Sequence, residues 1–358
     1  MERLISTLFA STVISAALIG GAAAADKAKV FFLLPNETTI RFESRDAPFF
    51  VAAMKEKAPD VEVVVANAQG DPSKQQSQVE DAIAQGAKVI LLTSADANLA
   101  AGELAAAAKA NVPVVLYDHD AVGGKAAAHV VFDSLAVGQE QGKRAAELIK
   151  AMSKTPVKVA RVKGNQGEYG TKQYEAGQDQ FLKPLIDSGK IQVVCEQYTQ
   201  NWDPTIAQSF AEDCLTKNGG DVDVFIGMND GTTGGSVAAL ISQGFKPGDK
   251  LVTGGQDATV EALRYVAQGW QDNSVLKDLK VQANYAADVV ASIVAGKGVP
   301  KDLINGKVNN TFMDVPAVFL PVSNITKDNL GDVVKAGVWT WAEICKGIET
   351  TDICKKNL

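Results

Sequence analysis

Residues 88–118 read KVILLTSADANLAAGELAAAAKANVPVVLYD, and this stretch decides the fold class. Lys88–Thr93 and Pro113–Asp118 are short apolar runs without polar alternation, the composition of strands buried on both faces. Asn98–Ala110 between them is a helical stretch, so the unit is the strand–helix–strand crossover of a parallel sheet. The alternation continues on both sides. Upstream come strand Val30–Leu34, helix Ala47–Ala58, strand Val61–Ala66 and helix Ser73–Gln85, and strand Val130–Asp133 closes the first series. A second series opens with helix Leu135–Met152, strand Val157–Val162, helix Lys172–Ser188 and strand Gln192–Gln197. Helix Pro204–Lys217, strand Val224–Gly227, helix Thr233–Gln243, strand Lys250–Gly254 and helix Thr259–Gln268 complete it. Two such series are hard to merge into one sheet, so the expected fold is α/β, with two doubly wound parallel-sheet lobes side by side.

The amino terminus has a different character. Leu4–Ala25 is apolar behind Arg3 and ends in Ala23-Ala24-Ala25 before Asp26, the pattern of a secretory signal peptide over residues 1–25 cleaved near Ala25. The Gly20-Gly21 break argues against a retained membrane anchor. The remaining 333 residues (358 less 25) suit two lobes. A net charge of −7 with no clustered Lys and Arg argues against a nucleic-acid partner. The four Cys fall into two close pairs, Cys195 with Cys214 and Cys345 with Cys354, which in an exported chain read as two disulfides. With only His119 and His129 available and no Cys-x-x-Cys, neither a metal site nor a cofactor is expected.

Polar groups follow directly on the apolar strands: Tyr117-Asp118-His119-Asp120, Phe132-Asp133-Ser134, Met228-Asn229-Asp230 and Gly255-Gln256-Asp257. Ligands of open α/β sheets bind at the carboxyl ends of the strands, so these groups are expected to converge on one cleft; each alone also fits a helix cap. Carboxylates and Asn supply fixed hydrogen-bonding groups for a polyhydroxylated ligand, and Phe42 and Trp202 are candidates for a flat apolar wall. Enzyme signatures are missing: no Gly-x-Ser-x-Gly, no His-Glu-x-x-His, no Walker-type loop and no Gly-x-Gly-x-x-Gly after the first strand. Paired carboxylates leave glycoside hydrolysis as a weaker reading.

Over almost all of its mature length the chain resembles the periplasmic xylose-binding proteins of ABC-type sugar importers, within the ribose- and galactose-binding superfamily. The resemblance is carried by Arg41-Phe42-Glu43 with Asp46-Ala47-Pro48, Lys74-Gln75-Gln76-Ser77-Gln78-Val79, Tyr117-Asp118 and Trp202-x-Pro204. Asn229-Asp230-Gly231-Thr232-Thr233-Gly234-Gly235 and Gly255-Gln256-Asp257-Ala258 extend it, as does Val308-Asn309-Asn310 through Asp314-Val315-Pro316. It implies a periplasmic receptor, not an enzyme, that encloses a monosaccharide between two lobes joined by a three-crossing hinge. The first lobe would hold residues 26–133 plus 279–310, and the second 134–278 plus 311–358. Arg41, Phe42, Asp118 and His119 would face the sugar from the first lobe; Glu168, Trp202, Asn229 and Asp257 from the second; Lys277 from beside the last crossing. Asp133 and Ser134 would sit at the hinge. The partners implied are the sugar and a membrane permease of an ABC importer, or a sensor or chemoreceptor, with the chain a monomer. A repressor-type sensory domain shares the fold but starts with a DNA-binding segment, not an export signal. This sequence departs from the pattern at His119, where the family usually has Arg, at Ser134, where it has Asn, and at Glu168-Tyr169-Gly170, which replace Asp-Asn-Asn. An Arg donates a rigid fork that His cannot reproduce.

Overall fold

The computed structural model describes residues 27–358; the signal peptide expected over residues 1–25 lies outside the described residues. Strands β1 (Ala28–Leu34), β2 (Val61–Asn67), β3 (Ala87–Leu92), β4 (Val114–Tyr117) and β5 (Ala128–Phe132) run parallel, with helices α1 (Ala47–Lys57), α2 (Pro72–Ala84) and α3 (Ala101–Lys109) in the connections. The unalternating strands are explained by their two faces. Val30, Phe32 and Leu34 of β1 pack with Phe50 and Met54 of α1, whereas Phe31 and Leu33 pack with Val79 of α2 and Leu104 of α3. Side chains alternate across a strand, so a run that is apolar throughout is stable only between two helical layers.

Helix α4 (Ser134–Ala151) leads into the second lobe, where β6 (Val157–Lys163), α5 (Tyr169–Asp187), β7 (Ile191–Tyr198), α6 (Pro204–Lys217), β8 (Val224–Gly227), α7 (Asp230–Ser242) and β9 (Leu251–Gly254) follow. The four strands are parallel in the order β7-β6-β8-β9. Helices α4 and α5 cover one face through Ile149, Leu182 and Leu185, and α6 and α7 cover the other through Ala211, Leu215, Val237 and Leu240. Helix α8 (Val260–Gln268) then leads to β10 (Asn273–Lys277), joined to the end of β9 by a bridge from Gln256 to Val275.

The chain now returns. Helix α9 (Leu279–Val294) buries Ala283, Ala286, Ala287 and Val290 in the first lobe's core, beside β1 and α1. β11 (Gly306–Asn309) and β12 (Asp314–Leu320) extend the first sheet to seven strands, in the order β11-β12-β5-β4-β3-β1-β2. The expected division gave residues 311–358 to the second lobe. Instead β12 lies parallel to β5, from Ala317 opposite His129 to Leu320 opposite Phe132, and adds Val318 and Leu320 to the first core. The last crossing therefore follows Leu320. β13 (Val322–Thr326) pairs antiparallel with β10, and α10 (Gly331–Lys335), α11 (Trp341–Cys345) and α12 (Asp352–Asn357) finish the second lobe against α8.

Three chain crossings thus join the lobes, at Phe132–Asp133, Lys277–Asp278 and Leu320–Val322. At the first two an Asp caps the helix that follows: Asp133 accepts from the Ala136 N–H at 3.1 Å and Asp278 from the Val281 N–H at 3.0 Å. Both expected disulfides are present, Cys195–Cys214 tying β7 to α6 and Cys345–Cys354 tying α11 to α12.

Candidate ligand-binding site

All four polar strand ends named from the sequence face the gap between the lobes, around one small cavity. Arg41, Phe42, Asp118, His119, Glu168, Trp202, Asn229, Asp257 and Lys277 all line it. Ser134, expected only at the hinge, lines it as well, beside Thr39, Asp120, Gly170, Tyr174 and Gln256.

The best-fixed part is a buried charge network. Arg41 enters from the loop after β1 and is 2% exposed. Its Nε donates to Asp46 Oδ2 at 3.0 Å within the first lobe, and its Nη1 donates to Asp257 Oδ1 at 2.9 Å across the gap. Its Nη2 lies 3.2 Å from Asp118 Oδ2. Lys277, at the second crossing, approaches Asp118 Oδ1 at 3.3 Å and Asp257 Oδ1 at 3.5 Å. Buried charges are tolerated when paired and hydrogen-bonded in this way. Burial alone would raise Asp118, but Arg41 and Lys277 outweigh it and hold its carboxyl well below the usual range. Burial raises Asp46 to about 6 despite Arg41, and the Tyr117 hydroxyl donates to it. Asp230, behind the cavity wall, is raised to about 8 by burial, with Asp257 adding to the effect.

Backbone strain aims the carboxylates. Asp118 has φ 60° and Asp257 φ 94°, values that residues with a Cβ adopt only when their surroundings over-determine them. Asn201 and Trp202 form a second such pair, at φ 52° and 57°. That turn lays the indole over the end of β6, where a Cβ on Gly164 would fall 2.0 Å from Cη2. The indole N–H donates to Glu168 Oε1 at 2.9 Å, and the ring meets Tyr174 edge to face at 6.2 Å. From the first lobe, Phe42 stands edge-on to His119 at 5.4 Å. His119 Nδ1 lies 2.8 Å from the Ser94 carbonyl, leaving Nε2 toward the cavity.

Contacts outside the cavity hold the lobes together. Thr38 donates to the Asn201 carbonyl at 2.7 Å and Asn98 to that of Gly167 at 3.2 Å. Arg45 pairs with Glu343 and lies 3.7 Å from the centre of the Trp339 ring.

Asp120 and Gln256 were visible in the strand-end motifs without being singled out. Tyr174 had no local signal, because it sits inside α5 and reaches the cavity only through the packing of α5 on α4. Among the described residues no group of His, Cys, Asp and Glu could hold a metal ion, and no helix is long and apolar enough to cross a membrane.

Two α/β lobes closing on a cavity with buried polar groups and aromatic walls define a two-lobed ligand-binding protein. Comparison with known proteins gives the family: residues 30–298 match the periplasmic binding protein domain, and the chain belongs to that family, among its xylose-binding-like sugar receptors. The D-xylose-binding periplasmic protein of Haemophilus influenzae is 30% identical over 297 residues, covering 83% of this chain and 86% of the relative. That of Escherichia coli is 29% identical over 84% of this chain and 88% of its own length. A solved ABC transporter solute-binding protein from Clostridium phytofermentans, with bound β-D-glucose, superposes with a TM-score of 0.79 at 23% identity, covering 88% of this chain and 99% of that one. The relatives are binding proteins, and this chain is a binding protein, not an enzyme.

Proposed function

We propose that this protein is a periplasmic receptor that captures a monosaccharide, a xylose-like pentose or a related sugar, and delivers it to the membrane permease of an ABC-type importer. Arg41, Phe42, Asp118 and His119 contact the sugar from one lobe, Glu168, Trp202, Asn229 and Asp257 from the other, and Lys277 from the crossing. The observation that carries this reading is the convergence of all nine side chains on one enclosed cavity, with donors and acceptors fixed by the Arg41–Lys277 network and flat walls from Trp202 and Phe42. Such a surface suits a ring whose hydroxyls alternate with apolar C–H faces. The names of the xylose-binding relatives support the sugar class. A thermal-shift screen of pentoses, hexoses, deoxy sugars and polyols tests it. A ligand that binds the folded protein raises the melting temperature by mass action. A screen in which no sugar or polyol shifts the transition rejects the reading.

A further inference from the structure

The charges around the cavity do not balance. Arg41 and Lys277 both serve the Asp118–Asp257 end, whereas Glu168, 8% exposed, has no Lys or Arg partner among the described residues. Glu168 Oε1 accepts from the Trp202 indole and from Asn165 Nδ2 at 3.1 Å; Oε2 accepts no hydrogen bond among the described residues. The basic side chain facing Oε2 is His119, whose Nε2 lies 3.7 Å away.

The hydrogen bonds of the two histidines fix what they offer. A carbonyl only accepts, so the 2.8 Å contact to Ser94 places a His119 proton on Nδ1 and turns Nε2 toward the cavity. Nε2 faces Glu168 Oε2 and, at 3.9 Å, Asp118 Oδ2. By the same reasoning His129 spends its proton on the Asp118 carbonyl at 3.2 Å, and its Nδ1, 3.7 Å from Asp120 Oδ1, has none to give. Glu168 Oε2 and the Asp120 carboxylate therefore bring acceptors to one corner of the cavity that no Lys or Arg reaches among the described residues. Buried acceptors left unpaired are costly, and a carboxylate without a counter-charge more so. A ligand hydroxyl would supply one donor. An ammonium would supply three, with the positive charge that Glu168 lacks.

We infer that the natural ligand carries a basic amino group at this corner, so that the site takes an amino-substituted sugar or cyclic polyol in preference to its neutral counterpart. This rests on the reading of the cavity as a sugar site. The experiment is isothermal titration at about neutral pH with D-glucose, D-galactose, D-mannose and D-xylose, each beside amino-deoxy counterparts with the nitrogen at successive ring positions. At least one amino sugar is expected to bind about tenfold or more tightly than its parent, and Glu168→Gln is expected to narrow that gap. If neutral sugars bind and no amino counterpart binds more tightly, the inference falls while the sugar site stands; if neither kind binds, both fall. An amino preference unaltered in a folded Glu168→Gln protein overturns the assignment to this corner. The wild-type comparison alone can reject the inference should the variant fail to fold.

Discussion

Trp202 reaches the cavity because Gly164 leaves room for its ring, and the Glu168 carboxylate fixes the indole N–H. The indole is thus positioned before any ligand arrives. Trp202→Ala is expected to weaken sugar binding by about 2 kcal/mol or more, as loss of a buried aromatic anchor does, with little change in far-ultraviolet circular dichroism. Unchanged affinity by calorimetry would leave Trp202 a packing residue. Asp230 sets a pH dependence. Its folded-state value of about 8 lies above the ordinary 3.8, so across that window the folded protein holds a proton that the unfolded chain has released. Stability is therefore drawn down as pH rises from about 4 to about 8, with the full cost present above. Asp230→Asn removes the ionisation, so its melting temperature relative to wild type should climb between mildly acidic and mildly alkaline buffer; a constant difference would contradict this. Asp118 and Asp257 were legible in the sequence because each belongs to a polar group at the end of a buried strand. Tyr174 was not, since nothing in a helix's own sequence tells which neighbour will bring one of its turns to a cleft.

Among the elements, the turn Phe42–Asp46 ahead of α1 works on both sides of the gap. Arg41, just before it, reaches Asp257, while Arg45 within it lies on Trp339 and pairs with Glu343. The Glu343 side chain is 42% exposed, so the ion pair contributes little and most of the contact comes from the guanidinium on the indole. Arg45→Ala should loosen the closed form by about 1 kcal/mol, seen as a several-fold faster dissociation of sugar in stopped-flow fluorescence. An unaltered off-rate would mean that Arg45 does not hold the lobes shut. The strands and helices up to α8 were readable because the inner strands are short runs buried on both faces. β12 was not. Pro316 interrupts its pattern, and proline is a poor marker of an inner strand, yet the strand sits between β11 and β5. Only its pairing with β5 shows which lobe it belongs to.

At the scale of the whole molecule, charged groups from both lobes meet across the gap, and a ligand that touches both sides favours the closed arrangement. Small-angle scattering should show a smaller radius of gyration with saturating sugar than without; identical values would count against closure. The class of fold, two wound sheets, followed from the alternation of strands and helices alone. The exact division of the chain did not, because three crossings leave no composition change to mark them.

Those crossings also decide when during synthesis the protein can become folded. The first lobe's core depends on α9 and β12, which lie beyond the entire wound portion of the second lobe, so residues 27–132 emerge with the surface that will meet α9 still uncovered. A chain ending before residue 279 is expected to give poorly dispersed amide resonances and no cooperative thermal transition, whereas one ending after residue 330 should recover the first lobe; a cooperatively folded short fragment would show the order of assembly to be otherwise. The receptor is, in effect, unable to finish its earliest-made half until the strands and helix of its last crossings have been supplied.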